Sequence, residues 1–473
     1  MSIEEQPTEK IVREIELNIS EPEKLINKCV ILSKRAQKEE NQEELRKSGA
    51  ISLLVRIMKR YSKETLLLEK VLGALNNCSL DPANCSYLGQ NTQIFELIID
   101  LLTNYPKYDT EIISRVIGVI WNLSTSEENI QIFHKAKGLE LFVKLLKEKS
   151  EVKEIQERGL GALTYLAVSD SISPLLPNLG VLEIIGDACT KFNTEDDLVL
   201  IERATICVFN LAAYEENTQM IFKSKIPSTI IELIKQFNDQ NQIVLRCVGF
   251  FSNLTTTSEY YSVITEINLI AVFIQLLIKY KADLQIIRFV LNTILNLIQL
   301  SENKPSFVDN QGLEVLVMLM SEYEQLPIIQ KKCCEILVYF ASEEAYQDLF
   351  LTTKAISAII IAMNTHPTDT VLLGNSAVCL SNLFFYENCK SQILDNQGIL
   401  IFLQALKTNI KNRKFAERAS LFLLNITCDK NGRELVLDYG GKKLCKQLLK
   451  THKESKVLMK RMKATLTNMN VEL

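Results

Sequence analysis

The sequence predicts an all-α protein, built as a solenoid of about eleven helical repeats. Of its 473 residues, 47% are hydrophobic and 23% are charged, and only 16 are Gly and 10 are Pro. This composition is typical of an ordered, helix-rich chain and not of a disordered one. Two further observations predict the repeats. A short motif recurs at nearly constant intervals, and the same succession of helical and turn-forming segments separates its copies.

The recurring motif is clearest in "WNLS", in which Asn122 is the second residue. Related motifs such as "FNLA", "SNLT" and "LNIT" repeat this Asn about every 43 residues, a spacing found in HEAT and armadillo solenoids. Tyr residues fill two double intervals, and a Lys lies one interval before the first Asn. The resulting ladder has eleven positions: Lys34, Asn77, Asn122, Tyr165, Asn210, Asn253, Asn296, Tyr339, Asn382, Asn425 and Asn468.

The segments between ladder positions predict three helices in each repeat. Stretches such as "NQEELRKSGAISLLVRIM" are typical of a short helix, a Gly-bearing break and a longer amphipathic helix. The ladder residue then falls on the third helix. Two intervals are longer, and their extra residues lie in "TNYPKYDTE" and "CTKFNTEDD", before the third helix. We predict that residues 21–473 form the solenoid and that residues 1–20 form a tail and a capping helix.

A second row of residues precedes the ladder by seven positions. Because seven residues are nearly two helical turns, both rows lie on one face of the third helices. The row contains eight Lys or Arg in its last ten positions, although only 53 of 473 residues are Lys or Arg. Its densest part runs from Lys70 to Arg246. The basic members are Lys70, Arg115, Arg158, Arg203, Arg246, Lys332, Arg418 and Arg461, and the others are Asn27, Phe289 and Asn375.

The chain resembles the armadillo repeat family over residues 20–473. The resemblance rests on the short first helix, on the "SGAI" and "NQGLEVL" breaks, and on third helices that carry "GALxN" or "WNLS". It implies a right-handed superhelix whose third helices line a concave groove. It also implies that groove Asn residues bind the main chain of an extended partner, a role that suits an amide able to donate and to accept.

The resemblance is closer to the catenin-like branch than to importin-alpha. The nuclear-import branch has Trp four residues before its groove Asn, whereas this chain has residues such as Gly73, Gly118 and Val378 there. The basic row suits acidic side chains, onto which Arg can fork. We therefore predict a non-catalytic scaffold that binds an extended acidic segment. The candidate partner-binding residues are Lys70, Asn77, Arg115, Trp121, Asn122, Arg158, Arg203, Asn210, Arg246, Asn253, Asn296, Lys332, Asn382, Arg418 and Asn425.

Both rows also have a purely internal interpretation. A ladder Asn could bond to the backbone of the neighbouring repeat. A Glu that precedes a basic residue could pair with the Arg of the next repeat, and Glu69, Glu157, Glu202 and Glu417 are so placed. Two other functions remain open: a regulator of small GTPases, and a co-chaperone or assembly factor for motor or cytoskeletal proteins. Nucleic acid is a less favoured partner because aromatic residues are sparse between the basic ones.

The sequence does not predict an enzyme, a cofactor or a small-molecule substrate. It contains no Gly-rich phosphate loop and no nucleophile or zinc-protease motif. Its three His and its twelve Cys without CxxC spacing argue against a metal site and for buried, reduced thiols. The start lacks the apolar core of a secretory signal, and no apolar run is long enough for membrane insertion. These observations favour a cytoplasmic protein, with a nuclear or cytoskeleton-associated location as alternatives.

Overall fold

The computed structural model describes residues 6–261, 265 and 268–470. Within these ranges every regular element is an α-helix or a 3-10 helix, which confirms the all-α prediction. The described chain divides into two compact units, Met1–Leu254 and Thr255–Leu473. The two units are built from the same kind of repeat.

Eleven third helices carry the ladder, and each ladder residue lies in the last turns of its helix. In a third helix most of the circumference is apolar, because it packs against the other helices of its own repeat and against neighbouring third helices. In the third of them, for example, Ile117 and Val119 have no exposed surface. These helices are Pro22–Ala36, Thr65–Cys78, Thr110–Leu123, Lys153–Leu166, Leu198–Leu211, Asn241–Leu254, Leu284–Leu297, Pro327–Ala341, Thr370–Leu383, Arg413–Cys428 and Lys456–Asn468.

Eleven second helices are also present, and the helix predicted as a cap is the first of them in chain order. It buries Ile11 and Ile15 and packs against the second helix of the next repeat. The second helices are Thr8–Leu17, Ala50–Arg60, Gln93–Asn104, Gly138–Glu148, Val181–Lys191, Ile226–Gln236, Leu269–Lys279, Gly312–Glu322, Ala355–Thr365, Gly398–Thr408 and Gly441–Thr451.

The first helices are short and less regular. In one repeat two 3-10 turns, Ser173–Leu175 and Pro177–Leu179, replace the α-helix. Both turns contain Pro, which lacks the N–H that a continuous helix needs. The other first elements are Glu39–Lys47, Pro82–Gln90, Glu127–Lys135, Glu215–Lys223, Ser258–Tyr260, Ser301–Asn303 with Lys304–Asp309, Glu344–Tyr346 with Gln347–Thr352, Glu387–Asp395 and Lys430–Asp438.

The two longer intervals add residues where the sequence predicted them. Each contains a 3-10 turn just before the third helix, Tyr105–Lys107 in one and Glu195–Asp197 in the other. In the second turn, the Asp197 carboxylate accepts hydrogen bonds from the backbone N–H and the hydroxyl of Thr194, and it pairs with Lys153 Nζ at 2.6 Å. The insertion is therefore tied to the preceding third helix.

The break between the first and second helices requires a left-handed residue, and Gly is only one of the residues that occupy it. Gly49 and Gly440 have φ of 78° and 81°. In "NQGLEVL" the left-handed residue is Gln311, with φ of 62°, and Gly312 begins the next helix. A Cβ on Gly312 would lie 2.4 Å from a ring carbon of Phe307. This Gly is therefore needed for a close approach and not for its backbone angle.

A row of hydrogen bonds that the sequence pattern did not predict joins successive repeats in the second unit. In four repeats it starts from the residue after the second helix and ends on a backbone carbonyl of the preceding repeat. His366 Nε2 lies 2.7 Å from the carbonyl of Glu324, and His452 Nε2 lies 2.7 Å from that of Ile410. Tyr323 and Asn409 donate in the same way to Lys281 and Pro367. Two of the three His thus serve the packing of the repeats.

All twelve cysteines are free thiols, and eleven of them are buried. Burial raises the pKa of Cys29 and Cys78 to about 12, so these thiols stay protonated at neutral pH. Across the described ranges no single helix is both long and apolar enough to cross a membrane, whereas one bent pair, Glu344–Thr352 with Ala355–Thr365, passes that test on length and composition alone.

Candidate partner-binding face

The ladder and the basic row lie on one face of the third helices, which we call the ladder face. Most of its Asn side chains are partly exposed and so are accessible to a partner. The arrangement follows from the helix: residues seven apart are nearly aligned, and the intervening apolar residues point into the repeat. Each of the two units has its own stretch of this face.

The ladder Asn side chains cap the third helix of the preceding repeat. Asn122 Nδ2 donates to the Asn76 carbonyl at 2.9 Å, to the Asn76 side-chain oxygen at 3.1 Å and to Ser79 Oγ at 2.9 Å. Carbonyls near a helix C-terminus lack a partner within the helix, and the amide supplies one. Equivalent bonds join Asn77 to Ser33, Asn210 to Thr164, Asn253 to Phe209, Asn296 to Thr255, Asn425 to Ser381 and Asn468 to Thr427.

These bonds limit what a ladder amide offers to a partner. The Nδ2 hydrogens of Asn122 are engaged, but no donor among the described residues reaches its Oδ1. Asn122 can therefore accept a partner's backbone N–H, whereas donation to the partner would require breaking the cap. Asn382 differs, since its side chain makes no hydrogen bond within the described chain and both of its polar atoms are available.

Much of the basic row in the first unit is paired with carboxylates of the chain itself. Lys70 Nζ lies 2.7 Å from Glu69, and Arg158 Nε lies 3.4 Å from Glu154. Arg115 reaches Glu111 at 2.5 Å and, in the preceding repeat, Glu69 at 3.4 Å. The densest part of the row therefore carries less uncompensated positive charge than its sequence indicates. In the second unit, Lys332 has only a 4.0 Å contact with Glu335.

Arg203 is the most enclosed member of the row that has such a partner. Its Nη1 donates to the Glu157 carboxylate at 2.9 Å and to the Glu157 carbonyl at 3.0 Å. Its guanidinium lies over the Trp121 ring, 4.6 Å from the centroid. Burial lowers the pKa of Arg203, although Glu157 acts in the opposite direction. The Trp121 ring is thus partly covered by its own chain.

Glycines four residues before the ladder position make room for these side chains. A Cβ on Gly73 would lie 2.8 Å from Arg115 Nη1, and one on Gly161 would lie 2.9 Å from the Trp121 ring. A mid-helix Gly is destabilising on its own, so its recurrence is a signal of close approach. In the sequence this position was notable only for the absence of Trp, and its packing role was not predicted.

Three arginines of the row have no carboxylate partner within the described chain: Arg246, Arg418 and Arg461. Arg246 lies over the Phe209 ring at 5.7 Å. Arg418 Nη1 donates to Asn375 Oδ1 at 2.7 Å, and Arg461 Nη1 donates to the Glu417 carbonyl at 2.9 Å and to Ser420 Oγ at 3.3 Å. All of these acceptors are neutral, so they orient the guanidinium groups without cancelling their charge.

Arg418 and Arg461 line an open cleft of about 580 Å³ on the ladder face of the second unit. We call it the arginine cleft. It lies along the last three third helices, and Val371, Leu421 and Val457 contribute apolar surface to it. Val371 and Val457 are more than half exposed, at 55% and 52%. Glu417 also lines the cleft, where its carboxylate pairs with Arg413. The cleft therefore combines accessible apolar surface with two arginines that have no carboxylate partner in the described chain.

The comparison with known sequences gives one partial likeness. No protein-family model matches the chain. It is 24% identical over 165 residues to the armadillo repeat-containing protein gudu of Drosophila melanogaster. The matching region is 34% of this chain and spans about a quarter, 24%, of that relative.

Solved structures match nearly the whole chain. An engineered protein superposes with a TM-score of 0.64 at 17% identity, and 99% of this chain and 100% of that one are covered. A structure from a study of a phosphorylation switch in the interaction between cadherin and β-catenin superposes with a TM-score of 0.72 at 15% identity, covering 94% of this chain and 88% of that one. At these identities the likeness establishes the fold alone.

Proposed function

Starting from a chain that has the armadillo-repeat fold, we propose that the protein is a non-catalytic scaffold that binds an extended, acidic segment of a protein partner on its ladder face. The observation that carries the proposal is the set of three arginines on this face without a carboxylate partner in the described chain. A cation without an internal counter-charge favours an anionic partner. The structural neighbour from the cadherin and β-catenin study concerns an interaction between two proteins, which supports a protein as the class of partner.

An extended segment fits the spacing of the face. Neighbouring helices pack roughly 10 Å apart, and an extended chain advances about 3.3 Å per residue, so each repeat faces about three partner residues. The exposed Oδ1 atoms of the ladder can accept backbone N–H groups of such a segment, and the arginines can bind its carboxylates.

The arginine cleft is the preferred part of the face. A segment bound there meets Arg418 and Arg461, neither of which has a carboxylate partner in the described chain, and an apolar side chain of the segment can cover Val371 and Leu421. Glu417 also lines the cleft, but its carboxylate is paired with Arg413. At Arg115 or Arg203 the segment has to compete with Glu111 or Glu157. We therefore place the strongest contacts at the cleft, and not in the Lys70–Arg246 stretch that the sequence alone favoured.

The proposal is tested with a labelled peptide of about nine residues, the length that three repeats accommodate. It carries Asp or Glu at most positions and one Leu in every three. The Arg418→Gln, Arg461→Gln double variant should bind it at least about tenfold more weakly, because two charge-assisted contacts are lost. Fluorescence anisotropy measures the affinity. Thermal unfolding shows whether the loss of the Arg418–Asn375 bond has destabilised the unit.

The matched control is the Lys407→Gln, Lys411→Gln double variant, which removes the same charge from exposed residues of the second unit outside the cleft. It should retain the affinity of the unmodified protein. Equal affinities for the cleft variant and the control, with both proteins folded, would show that the acidic peptide binds elsewhere.

A further inference from the structure

The distribution of charge along the chain is strongly asymmetric. Residues 401–473 contain sixteen Lys and Arg against six Asp and Glu, a net charge of +10. The whole chain has a net charge of −4, so the preceding 400 residues are acidic overall. The excess of positive charge is concentrated in the last repeats of the second unit.

Three lysines of the eleventh repeat occupy positions that are buried in the tenth. The second helices Gly441–Thr451 and Gly398–Thr408 have the same length, and Lys442 and Lys446 correspond to Ile399 and Leu403. On the third helices, Lys463 corresponds to Ser420. Ile399, Leu403 and Ser420 are exposed by 1%, 4% and 0%, whereas all three lysines are exposed.

The correspondence extends through the earlier repeats. The position of Lys442 is occupied by buried residues such as Ile51, Leu313 and Ile356. The position of Lys463 is occupied by buried residues such as Leu291 and Cys334. In those repeats this side of the helices is apolar or small and is enclosed, so its replacement by lysine changes the chemistry of a whole side of the repeat.

Other exposed lysines extend this side, and together they form what we call the lysine surface. No carboxylate in the described part of the chain lies within ion-pair distance of any of them. Eight positive charges on two helices and the turn between them therefore lack a counter-charge there. The members are Lys442, Lys443, Lys446, Lys450, Lys453, Lys456, Lys460 and Lys463.

We propose that the lysine surface is a second binding site, separate from the ladder face, and that it binds a polyacidic protein segment. Lys442, Lys446 and Lys450 are spaced four residues apart on one helix, which separates them by about 6 Å along the axis. Alternate residues of an extended segment lie on one side of it and are about 6.6 Å apart. Carboxylates at alternate positions of such a segment thus match the ammonium groups one to one.

The chemistry of the surface favours carboxylates over phosphates. Its cations are lysines, which act as single point charges, whereas Arg provides the planar fork that matches phosphate. None of its members is aromatic, so it offers no surface on which nucleic-acid bases could stack. The inward side of its second helix is buried through Cys445 and Leu448, so this helix has no free apolar face to insert into a lipid bilayer.

The experiment uses a labelled peptide of about ten residues in which Glu alternates with Ser. All variants are made in the Arg418→Gln, Arg461→Gln background, so that the arginine cleft contributes little to binding. The Lys442→Glu, Lys446→Glu, Lys450→Glu variant should lose at least about tenfold in affinity, since each contact is modest and three are reversed together. The affinity of the unreversed protein should fall as salt rises, because exposed charges are screened over about 8–10 Å.

The matched control reverses three exposed lysines of the first unit, Lys63, Lys135 and Lys223, and so changes the net charge by the same amount. It should bind the peptide as the background protein does. A Lys442→Arg, Lys446→Arg, Lys450→Arg variant should retain the affinity, which would show that the positive charge and not the fold is responsible.

Two results would overturn the proposal. One is equal loss in the reversal variant and in its control, which would mean that only the net charge of the protein matters. The other is tighter binding of duplex DNA or of vesicles with anionic lipid than of the acidic peptide, which would assign the surface to phosphate. If the Arg418→Gln, Arg461→Gln variant binds the Leu-containing peptide as tightly as the unmodified protein does, only the proposal for the ladder face is contradicted. The proposals for the ladder face and for the lysine surface therefore fail independently.

Discussion

At the scale of single residues, the Asn ladder has a structural role that does not depend on a partner. Asn122 contacts three acceptors in the preceding repeat, and its amide satisfies a carbonyl at a helix end. Asn382 has the same position in its repeat and makes no such bond within the described residues. Asn122 and Asn382 can therefore be compared as a capping and a non-capping ladder residue of the same chain.

We expect Asn122→Ala to lower the free energy of unfolding by about 1–2 kcal/mol, because a partly buried carbonyl loses its partner. Asn382→Ala should change it by no more than about 0.5 kcal/mol. Urea denaturation followed by circular dichroism measures both. Equal losses for the two variants would mean that the ladder Asn stabilises its own helix and not the junction between repeats. A loss of peptide affinity in Asn382→Ala, without a loss of stability, would assign a binding role to this position.

At the scale of elements, repeats are joined by polar contacts at several levels as well as by their apolar cores. The ladder amides join third helices, and in the second unit the residues that follow the second helices form another row. In the first unit the turn Glu195–Asp197 is tied to the helix Lys153–Leu166. The hydrogen bonds from Lys153 and Thr194 lower the pKa of Asp197 from 3.8 to about 2.

The pKa of Asp197 makes the stability of this junction depend on pH. Because the folded-state pKa is the lower one, the Asp197 carboxylate contributes stability above about pH 4 and loses that contribution as the pH falls from about 4 to 2. The contribution at neutral pH should be on the order of 1 kcal/mol, because Lys153 is partly exposed and solvent screens the pair. Asp197→Asn should therefore lower the unfolding free energy at neutral pH, and its difference from the unmodified protein should shrink between about pH 4 and 3. Asp196→Asn, which changes an exposed neighbour, is the control. It should have little effect on the unfolding free energy at neutral pH or at low pH.

At the scale of the whole molecule, the lysine surface distinguishes the eleventh repeat from the earlier repeats. In those repeats the corresponding side is apolar or small and is buried, whereas in the eleventh it is charged and exposed. An apolar side would invite a further repeat or a second copy to stack on it, and exposed apolar patches promote such association. A polar, charged side on a repeat disfavours such stacking. Lys442, Lys446 and Lys463 give the eleventh repeat that property at positions that earlier repeats bury.

Replacing these lysines by the residues of the tenth repeat tests this interpretation. The Lys442→Ile, Lys446→Leu, Lys463→Ser variant should self-associate as its concentration rises, which sedimentation velocity detects. A control with Lys63→Ile, Lys135→Leu and Lys223→Ser makes the same exchanges at exposed sites on the first unit and should sediment as the unmodified protein does. A monomeric lysine-surface variant at all concentrations would show that the lysines are not needed to prevent stacking.

The helical class, the repeat length and the ladder pattern can be predicted from the amino-acid sequence. These features are encoded locally, since the helical period and the break residues recur within each repeat. The structure has a helix at each ladder position and a 3-10 turn in each of the two longer intervals. The sequence did not predict that Gln311 has a left-handed backbone angle, because the residue at that position is not Gly. It also did not predict that Gly161 makes room for a neighbouring side chain, because that contact joins two repeats.

Which arginines are available to a partner depends on contacts between packed helices. Glu157 and Glu202 each precede a basic residue on a third helix, yet Glu157 pairs with Arg203 while Arg246 has no carboxylate partner in the described chain. Glu417 binds Arg413 and Ser455 instead and offers its carbonyl to Arg461. Pairs such as Arg203 with Glu157 join helices of successive repeats, and they depend on which competing donors reach the same oxygen. The competition for each oxygen arises between packed helices, and the local sequence does not show it. For this reason the basic row looks uniform in the sequence, although only a few of its arginines lack a carboxylate partner in the described chain.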